Sequence, residues 1–210
     1  MADDELRLFV ACELPDEVRE ALASVQDGLR RLDPPALRWV RPEGIHLTLK
    51  FLGAFARRRV DELVEALDHV VEPFALTVTP ATLGGFPSAS LRAGGGARLR
   101  VLWLGLEGDV EGLAGLARRV DEALVPLGFP AERRPFRAHL TLARVQERAS
   151  NDERKRLVEL VRGYALPAMP SMRLTAVHLI QSRLGPGGSV YTRLASVPRG
   201  GDLTASDGPS

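Results

Sequence analysis

Cysteine and long apolar runs are both nearly absent from this sequence. Cys12 is the only cysteine in 210 residues, so no internal disulfide can form and no cysteine cluster can hold a metal. It lies in an apolar run and is expected to pack as a small hydrophobic side chain. No stretch approaches the roughly 18 apolar residues of a membrane span. The acidic opening Met1–Glu5 does not resemble a signal peptide. We therefore expect a cytoplasmic protein that does not enter a membrane.

A strong excess of one charge is also missing. The chain has 28 Lys and Arg against 27 Asp and Glu, a formal net charge of +1. Such a balance gives no overall attraction for polyanions, so any contact with nucleic acid must depend on a local basic patch. Two candidates are Arg57-Arg58-Arg59 and the group Arg133, Arg134 and Arg137. Either could equally be an ordinary solvated surface.

Hydrophobic periodicity predicts alternating strands and helices. Helices are expected to begin near residues 16, 58, 109 and 151, with Asp109 and Asn151 as N-caps of the last two. Strands are expected between and after them, with turn-forming residues at their ends. The pattern favours an α+β fold. We expect one domain over residues 1–198 and a disordered tail over residues 199–210, which are rich in Gly, Ser, Asp and Pro.

One tetrapeptide occurs twice. His46-Leu47-Thr48-Leu49 recurs as His139-Leu140-Thr141-Leu142, and neither of the other two histidines, His69 and His178, has a threonine two positions later. A repeat of this kind in the two halves of a chain indicates two related lobes.

Strand geometry gives the repeat a chemical meaning. Alternate side chains of a strand face opposite sides, so each His and Thr share one face while the leucines point to the core. If the lobes face each other, two imidazoles and two hydroxyls meet in one cleft. One imidazole can take a proton from water while the other, protonated, donates one to a leaving alkoxide. Threonine hydroxyls can donate hydrogen bonds to phosphate oxygens. A metal site is a weaker interpretation, since no carboxylate lies at a metal-ligand spacing beside either motif.

Several further segments strengthen this interpretation. They are Arg7–Ala11 with Leu14-Pro15, Arg38–Pro42, His46–Gly53, Gly85–Pro87, Val101–Gly105, Phe136–Arg144, Ser182 and Tyr191. Together they resemble the two-histidine phosphoesterase superfamily, in particular its RNA 2′,3′-cyclic phosphodiesterase branch, also known as 2′-5′ RNA ligase. The chain has Ala138 where the family commonly has proline, a change that concerns only the entry to the strand.

The resemblance implies a bilobal α+β fold with two pseudo-symmetric lobes of antiparallel sheet, helices outside and a central cleft. It also implies hydrolysis of a 2′,3′-cyclic phosphate RNA end to a 2′-phosphate without a metal or cofactor. We expect the protein to be a monomer. His46 would be the proton donor and His139 the proton acceptor, while Thr48 and Thr141 would bind the phosphate.

For three residues that follow the two motifs, the face of the strand on which the side chain lies decides the role. Arg144 matches a phosphate-contacting arginine of the family, yet strict alternation from His139 puts it on the wrong face, so the strand must end or bulge before it. Alternation places Lys50 on the His46 face, as a helper or a solvated rim residue. Phe51 is expected in the core rather than stacked on a nucleobase.

Two other functions are compatible with the sequence. One is a related enzyme that acts on a small cyclic nucleotide or joins RNA ends through 2′-5′ linkages. The other is a module that binds RNA ends without hydrolysing them, although it would have no need of both histidines and both threonines.

Overall fold

The structure, a computed structural model, describes residues 5–87, 99–185 and 188–199. Its strands are β1 (Glu5–Cys12), β2 (Leu37–Trp39), β3 (Leu47–Ala56), β4 (Leu76–Phe86), β5 (Val101–Gly108), β6 (His139–Val145), β7 (Met172–Leu174), β8 (Val177–Gly185) and β9 (Gly188–Val197). Its helices are α1 (Asp16–Arg30), α2 (Val60–Val70), α3 (Val110–Leu124) and α4 (Asn151–Gly163). The alternation of strands and helices agrees with the sequence pattern.

The helices form where the apolar spacing predicts them. In α1 the residues Val18, Leu22, Val25 and Leu29 recur at three and four positions and are buried, so one face of the helix packs on the core. The predicted N-cap of α4 is wrong by one residue. Ser150, not Asn151, is the cap, because its hydroxyl accepts the N–H of Glu153 and the Glu153 carboxylate accepts the N–H of Ser150.

Asp109 occupies the predicted N-cap position of α3 but does not use its side chain there. Its carboxylate accepts the backbone N–H of Thr77 at 2.8 Å instead, which ties the start of the helix to strand β4.

The strands form two antiparallel sheets. One has the order β3-β1-β8-β9 and the other the order β2-β6-β5-β4-β7. Each motif strand, β3 or β6, therefore belongs to a different sheet. Strand β3 lies at the edge of its sheet, and β6 has only the three-residue β2 on its outer side, so the two motif strands can approach each other. Some of their Cα atoms lie within 8 Å of one another. The α+β fold with two lobes of antiparallel sheet is confirmed.

A continuous apolar core joins both sheets to helices α1, α2 and α3, while α4 packs in a second, smaller cluster. The motif leucines Leu47, Leu140 and Leu142 are fully buried in the continuous core, and Leu49 is 8% exposed. Cys12 is also buried there, as expected. The motif leucines thus fix the two strands, and the opposite faces of these strands are left for polar side chains.

The C-terminal part of the described chain is held against α2, where the Arg199 N–H donates to Asp68 Oδ1 at 2.6 Å. The rest of the predicted tail, residues 200–210, lies outside the described residues. Among the described helices, none combines the length and apolar character needed to cross a membrane.

Candidate active site

His46 lies immediately before β3, in contact with an aromatic cluster. Its ring stacks on Phe9, with the centroids 4.4 Å apart and the planes inclined by 28°. Tyr191 contacts the same ring edge-on at 5.1 Å. Phe9 is buried on the face of its sheet opposite the main core, together with Ala11 and Ile180. These contacts hold the imidazole in one orientation and remove much of it from water.

His139 begins β6 and has an aromatic support of its own. Phe86 meets its ring edge-on at 5.0 Å, and the Trp103 ring centroid lies 6.3 Å away. The Trp103 indole in turn lies over two glycines, since a Cβ on Gly84 or Gly105 would come within 2.4 Å or 2.9 Å of it. The absence of side chains at these two positions therefore makes room for the ring that packs near His139.

Each motif histidine hydrogen-bonds a backbone carbonyl two residues upstream. His139 Nδ1 lies 2.7 Å from the Arg137 carbonyl oxygen, which can only accept, so Nδ1 carries the proton. His46 makes the corresponding bond to the Gly44 carbonyl. The bond at His139 leaves the Nε2 lone pair of the neutral ring available for a substrate.

The electrostatics of the two imidazoles are coupled. Burial lowers the pKa of His46 to about 4; the Gly44 hydrogen bond and the carboxylate of Glu13 oppose this effect, and the charges of Arg144 and His139 reinforce it. Burial also lowers the pKa of His139, opposed by the Arg137 hydrogen bond and reinforced by Arg144. One guanidinium therefore acts on both rings. The structure brings the two motifs to one site.

A β-bulge interrupts β3 within the first motif. Ala11 of β1 pairs with Thr48, but the next residue, Val10, pairs with Lys50, so Leu49 has no partner. Leu49 and Lys50 are consequently both buried although they are adjacent. The alternation of faces is shifted by one residue beyond this point.

The second motif has the same bulge at the equivalent position. Trp103 of β5 pairs with Thr141, while Leu102 pairs with Ala143, which leaves Leu142 without a partner. Leu142 and Ala143 are both buried. The bulge that the sequence requires before Arg144 is therefore present.

The bulges decide which residues follow the threonines on the cleft side. Arg144 is exposed on the face of His139 and Thr141. Phe51, its counterpart in the first motif, is 70% exposed, so its predicted place in the core is wrong. Lys50 is also not on the His46 face, because the bulge turns it inward. Its Nζ donates to Asp121 of α3 and to the Pro130 carbonyl, and only 9% of the residue is exposed.

A buried glutamine holds the second bulge. Gln26 of α1 is fully buried, and its Nε2 donates to the carbonyl of the bulge residue Leu142 at 2.9 Å and to that of Val40 at 2.8 Å. The Leu142 carbonyl also accepts the N–H of Val40. Helix α1 follows a strand of the other sheet, so this contact fixes one lobe to the motif of the other.

Sequence reasoning missed Glu13, the carboxylate beside His46. Cys12 pairs with Leu47, so one step further along the two strands Glu13 comes next to His46. Its carboxylate also lies 3.4 Å from the guanidinium of Arg193. The signal was available, because Glu13 interrupts an otherwise apolar segment before Leu14-Pro15. Among the residues that the structure describes, no three His, Cys, Asp or Glu side chains form a cluster that could hold a metal ion.

The fold and the paired motifs define a class: two-lobed α+β proteins that present one His-x-Thr motif from each sheet to a shared cleft. The chain matches the LigT-like phosphoesterase family over residues 13–94 and again over residues 104–191, and it belongs to that family.

Individual relatives agree with this assignment. An RNA 2′,3′-cyclic phosphodiesterase of Methanothermobacter thermautotrophicus is 33% identical over 191 residues, 90% of this chain and 96% of that protein. Among solved structures, the protein TT0787 of Thermus thermophilus has a TM-score of 0.69 and 26% identity, covering 90% of this chain and 96% of that one. E. coli LigT in complex with 3′-AMP has the same TM-score and identity, covering 91% and 97%.

We predict that Gln26→Leu destabilises the protein by roughly 1–3 kcal/mol, because the half-buried Val40 carbonyl loses its side-chain donor and the Leu142 carbonyl keeps only the Val40 N–H. The free energy of unfolding in urea measures this change. Ser24→Ala, on the exposed side of the same helix, is the matched control and should stay within about 0.5 kcal/mol of the parent. A Gln26→Leu protein as stable as the Ser24→Ala control would contradict a stabilising role for the Gln26 hydrogen bonds.

We also predict that the ligand-free protein loses stability as the pH falls from about 6.5 to 4. Burial lowers the pKa of His46, His139 and His178 below the unfolded-chain value, so in this range the unfolded state binds more protons. Unfolding followed at several pH values should show a shallower decline for His46→Gln. Substitution of the exposed His69 by Gln is the control and should leave the pH dependence unchanged. An unchanged slope in His46→Gln would refute the contribution of His46 to the loss of stability at low pH.

Proposed function

We propose that this protein hydrolyses the 2′,3′-cyclic phosphate end of RNA to a 2′-phosphate by metal-independent acid–base catalysis. The observation that carries the proposal is the pair of imidazoles, each held by a carbonyl two residues upstream, coupled to one arginine and flanked by threonines. The name of the M. thermautotrophicus relative and the 3′-AMP bound to E. coli LigT support a nucleotide phosphate as the ligand.

In this mechanism His139 is the general base. With Nδ1 bonded to the Arg137 carbonyl, Nε2 takes a proton from water while the water oxygen forms a bond to phosphorus. The bond between phosphorus and the ribose O3′ breaks, and His46 donates its proton to O3′. The product carries a 2′-phosphate and a 3′-hydroxyl, with one proton removed from water and one delivered to the leaving oxygen.

Thr48, Thr141 and Arg144 bind the phosphate. The two hydroxyls donate hydrogen bonds to its non-bridging oxygens, and the guanidinium balances its negative charge. Each of these side chains lies on the histidine face of its strand. The exposed ring of Phe51 offers an apolar surface for a nucleobase near Thr48.

Protonation of His46 depends on the bound anion. Burial lowers its pKa to about 4 in the free protein, where it would be neutral at pH 7. A phosphate between the imidazoles raises the pKa again, because a nearby negative charge favours the protonated ring. Glu13 acts in the same direction on His46, and this difference between the two rings supports His46 as the acid.

We predict that His46→Asn and His139→Asn each lower the rate of hydrolysis by about 10²–10⁴-fold, because each removes one proton-transfer group. The assay uses RNA ending in a 2′,3′-cyclic phosphate, and its product is analysed for 2′-phosphate against 3′-phosphate. His69→Asn, at an exposed position of α2, is the control and should retain full activity. A 3′-phosphate product, or full turnover by either active-site variant, would refute the mechanism.

We further predict that EDTA leaves the rate unchanged, since the proposed site uses imidazoles where a metal enzyme uses a metal-bound water. The protein is dialysed against the chelator and assayed with and without added Mg²⁺, Mn²⁺ or Zn²⁺. A loss of turnover that a divalent ion restores would rule out metal-independent catalysis.

A further inference from the structure

A depression at one corner of the sheet that contains β3 lies far from the candidate active site. It is formed at the start of β1, just after β3 and near the end of β8, three neighbouring strands. At one end of β1, Cys12 pairs with Leu47, next to His46. At the other end, beside the depression, Glu5 pairs with Ala56. Because β1 has 8 residues, these two ends lie roughly 23 Å apart. The depression is therefore separate from the candidate active site.

Positive charge predominates in this depression. Arg7, Arg57 and Arg183 line it, and Glu5 supplies the only carboxylate among its described lining residues. The guanidinium groups of the three arginines form no hydrogen bond or ion pair with any residue that the structure describes. Their charges are therefore available to a ligand.

A nearly buried amide opens into the same depression. Gln181 lines it and is only 7% exposed, yet its side chain makes no hydrogen bond within the described part of the chain. The amide atoms are not fully enclosed by protein, so they keep their access to the depression. A polar group in such a position costs free energy unless water or a ligand satisfies it. Gln181 therefore indicates a site for a polar ligand.

Strand pairing places the amide and one guanidinium on the same side of the sheet. Gln181 lies opposite Leu8 of β1, which is buried in the apolar core. Arg183 lies two residues further along β8, so it shares the face of Gln181, and it is exposed. Arg57 directly follows the last residue of β3, at the same end of the sheet. The fold thus brings together donors that are distant in the sequence.

We propose that this depression binds a phosphate dianion, either as the free ion or as the phosphate group of a small ester. The inference goes beyond the proposed function and does not depend on it. Guanidinium groups match the oxygens of phosphate and stay charged. Together, Arg57 and Arg183 offset the charge of about −1.5 to −2 that a phosphate monoester carries at pH 7. The amide of Gln181 can donate to a further oxygen.

The size of the depression fits a small molecule. Its volume is about 510 Å³, and sites for small ligands usually occupy about 300–1,000 Å³. This is more space than the phosphate group needs, so an organic group can be accommodated beside it. Leu6 and the exposed Leu184, which also line the depression, offer apolar surface for such a group.

The test measures the binding of inorganic phosphate by equilibrium dialysis in about 0.15 M NaCl, where weak attraction to the protein surface is screened. Every protein in the comparison carries Arg144→Glu, because a negative charge there repels phosphate from the candidate active site. We expect the Arg144→Glu protein to bind phosphate at a single site. Adding Arg57→Gln/Arg183→Gln should weaken this binding at least about tenfold. Gln181→Leu should also weaken it, although it leaves the net charge unchanged.

A charge-matched control comes from two other exposed arginines. Arg31→Gln/Arg173→Gln removes the same charge away from the depression and should leave the phosphate affinity unchanged. Thermal melting without phosphate checks that all variants are folded. Added phosphate should raise the melting temperature of the Arg144→Glu protein but not that of the protein that also carries Arg57→Gln/Arg183→Gln.

The same dialysis with glycerol 1-phosphate separates the two sources of the phosphate group. Tighter binding of the ester would identify a small phosphate ester as the ligand, whereas phosphate binding at least as tight would identify the free ion. The proposal would be overturned if neither compound bound saturably, or if the substitutions in the depression weakened binding no more than Arg31→Gln/Arg173→Gln.

Discussion

The geometry of the candidate site depends on one extra residue in each motif strand. A strict strand would bury Phe51 and Arg144 and direct Lys50 and Ala143 toward the cleft. The unpaired Leu49 and Leu142 reverse this order directly after each His-x-Thr. A bulge leaves backbone groups without their ladder partners, so it persists only where other groups replace these hydrogen bonds. In the second motif, Gln26 and the Val40 N–H supply them.

The same arrangement couples the two lobes. Gln26 belongs to the helix after β1 yet contacts β6, whereas Asp121 belongs to the helix after β5 yet contacts Lys50 of β3. Each motif strand is thereby fixed by a helix that follows a strand of the opposite sheet. Catalysis by paired imidazoles requires their relative position to be kept within a fraction of an ångström. In the proposed mechanism, these cross-lobe polar contacts and the apolar core would hold the two imidazoles in place.

Much of this fold and site could be predicted from the sequence, because the repeat and the period of two are local signals. They correctly indicated the buried leucines, the shared face of His and Thr, and the α+β architecture. Lys50 and Phe51 were misplaced because the bulge shifts the alternation of faces by one residue, and nothing in the sequence of the first motif signals this shift. In the second motif a signal exists: Arg144 falls where a core residue should be, and burial of an unpaired arginine would be too costly.

The roles of Gln26 and Glu13 were not predicted, for a different reason. A polar residue on an apolar helix face, or at the end of a buried strand, reveals that it needs a partner but not which one. Gln26 is far from Leu142 along the chain, and only the packing of α1 across the lobe boundary brings them together. Residues of this kind are identified by their contacts, since neither composition nor periodicity describes how two lobes meet.

In the free protein, the candidate site disfavours positive charge on its imidazoles and holds the guanidinium of Arg144 near both of them. Both properties bear on an anionic ligand. Burial and the charge of Arg144 lower the pKa of both imidazoles in the free protein, and in the proposed mechanism a bound phosphate would supply the negative charge that makes His46 a competent acid. Proton donation in that mechanism would then be coupled to the presence of a phosphate anion in the cleft. Under the proposed function, a protein with a formal net charge of only +1 would recognise an anionic RNA end through the few charges at this site rather than through its overall charge.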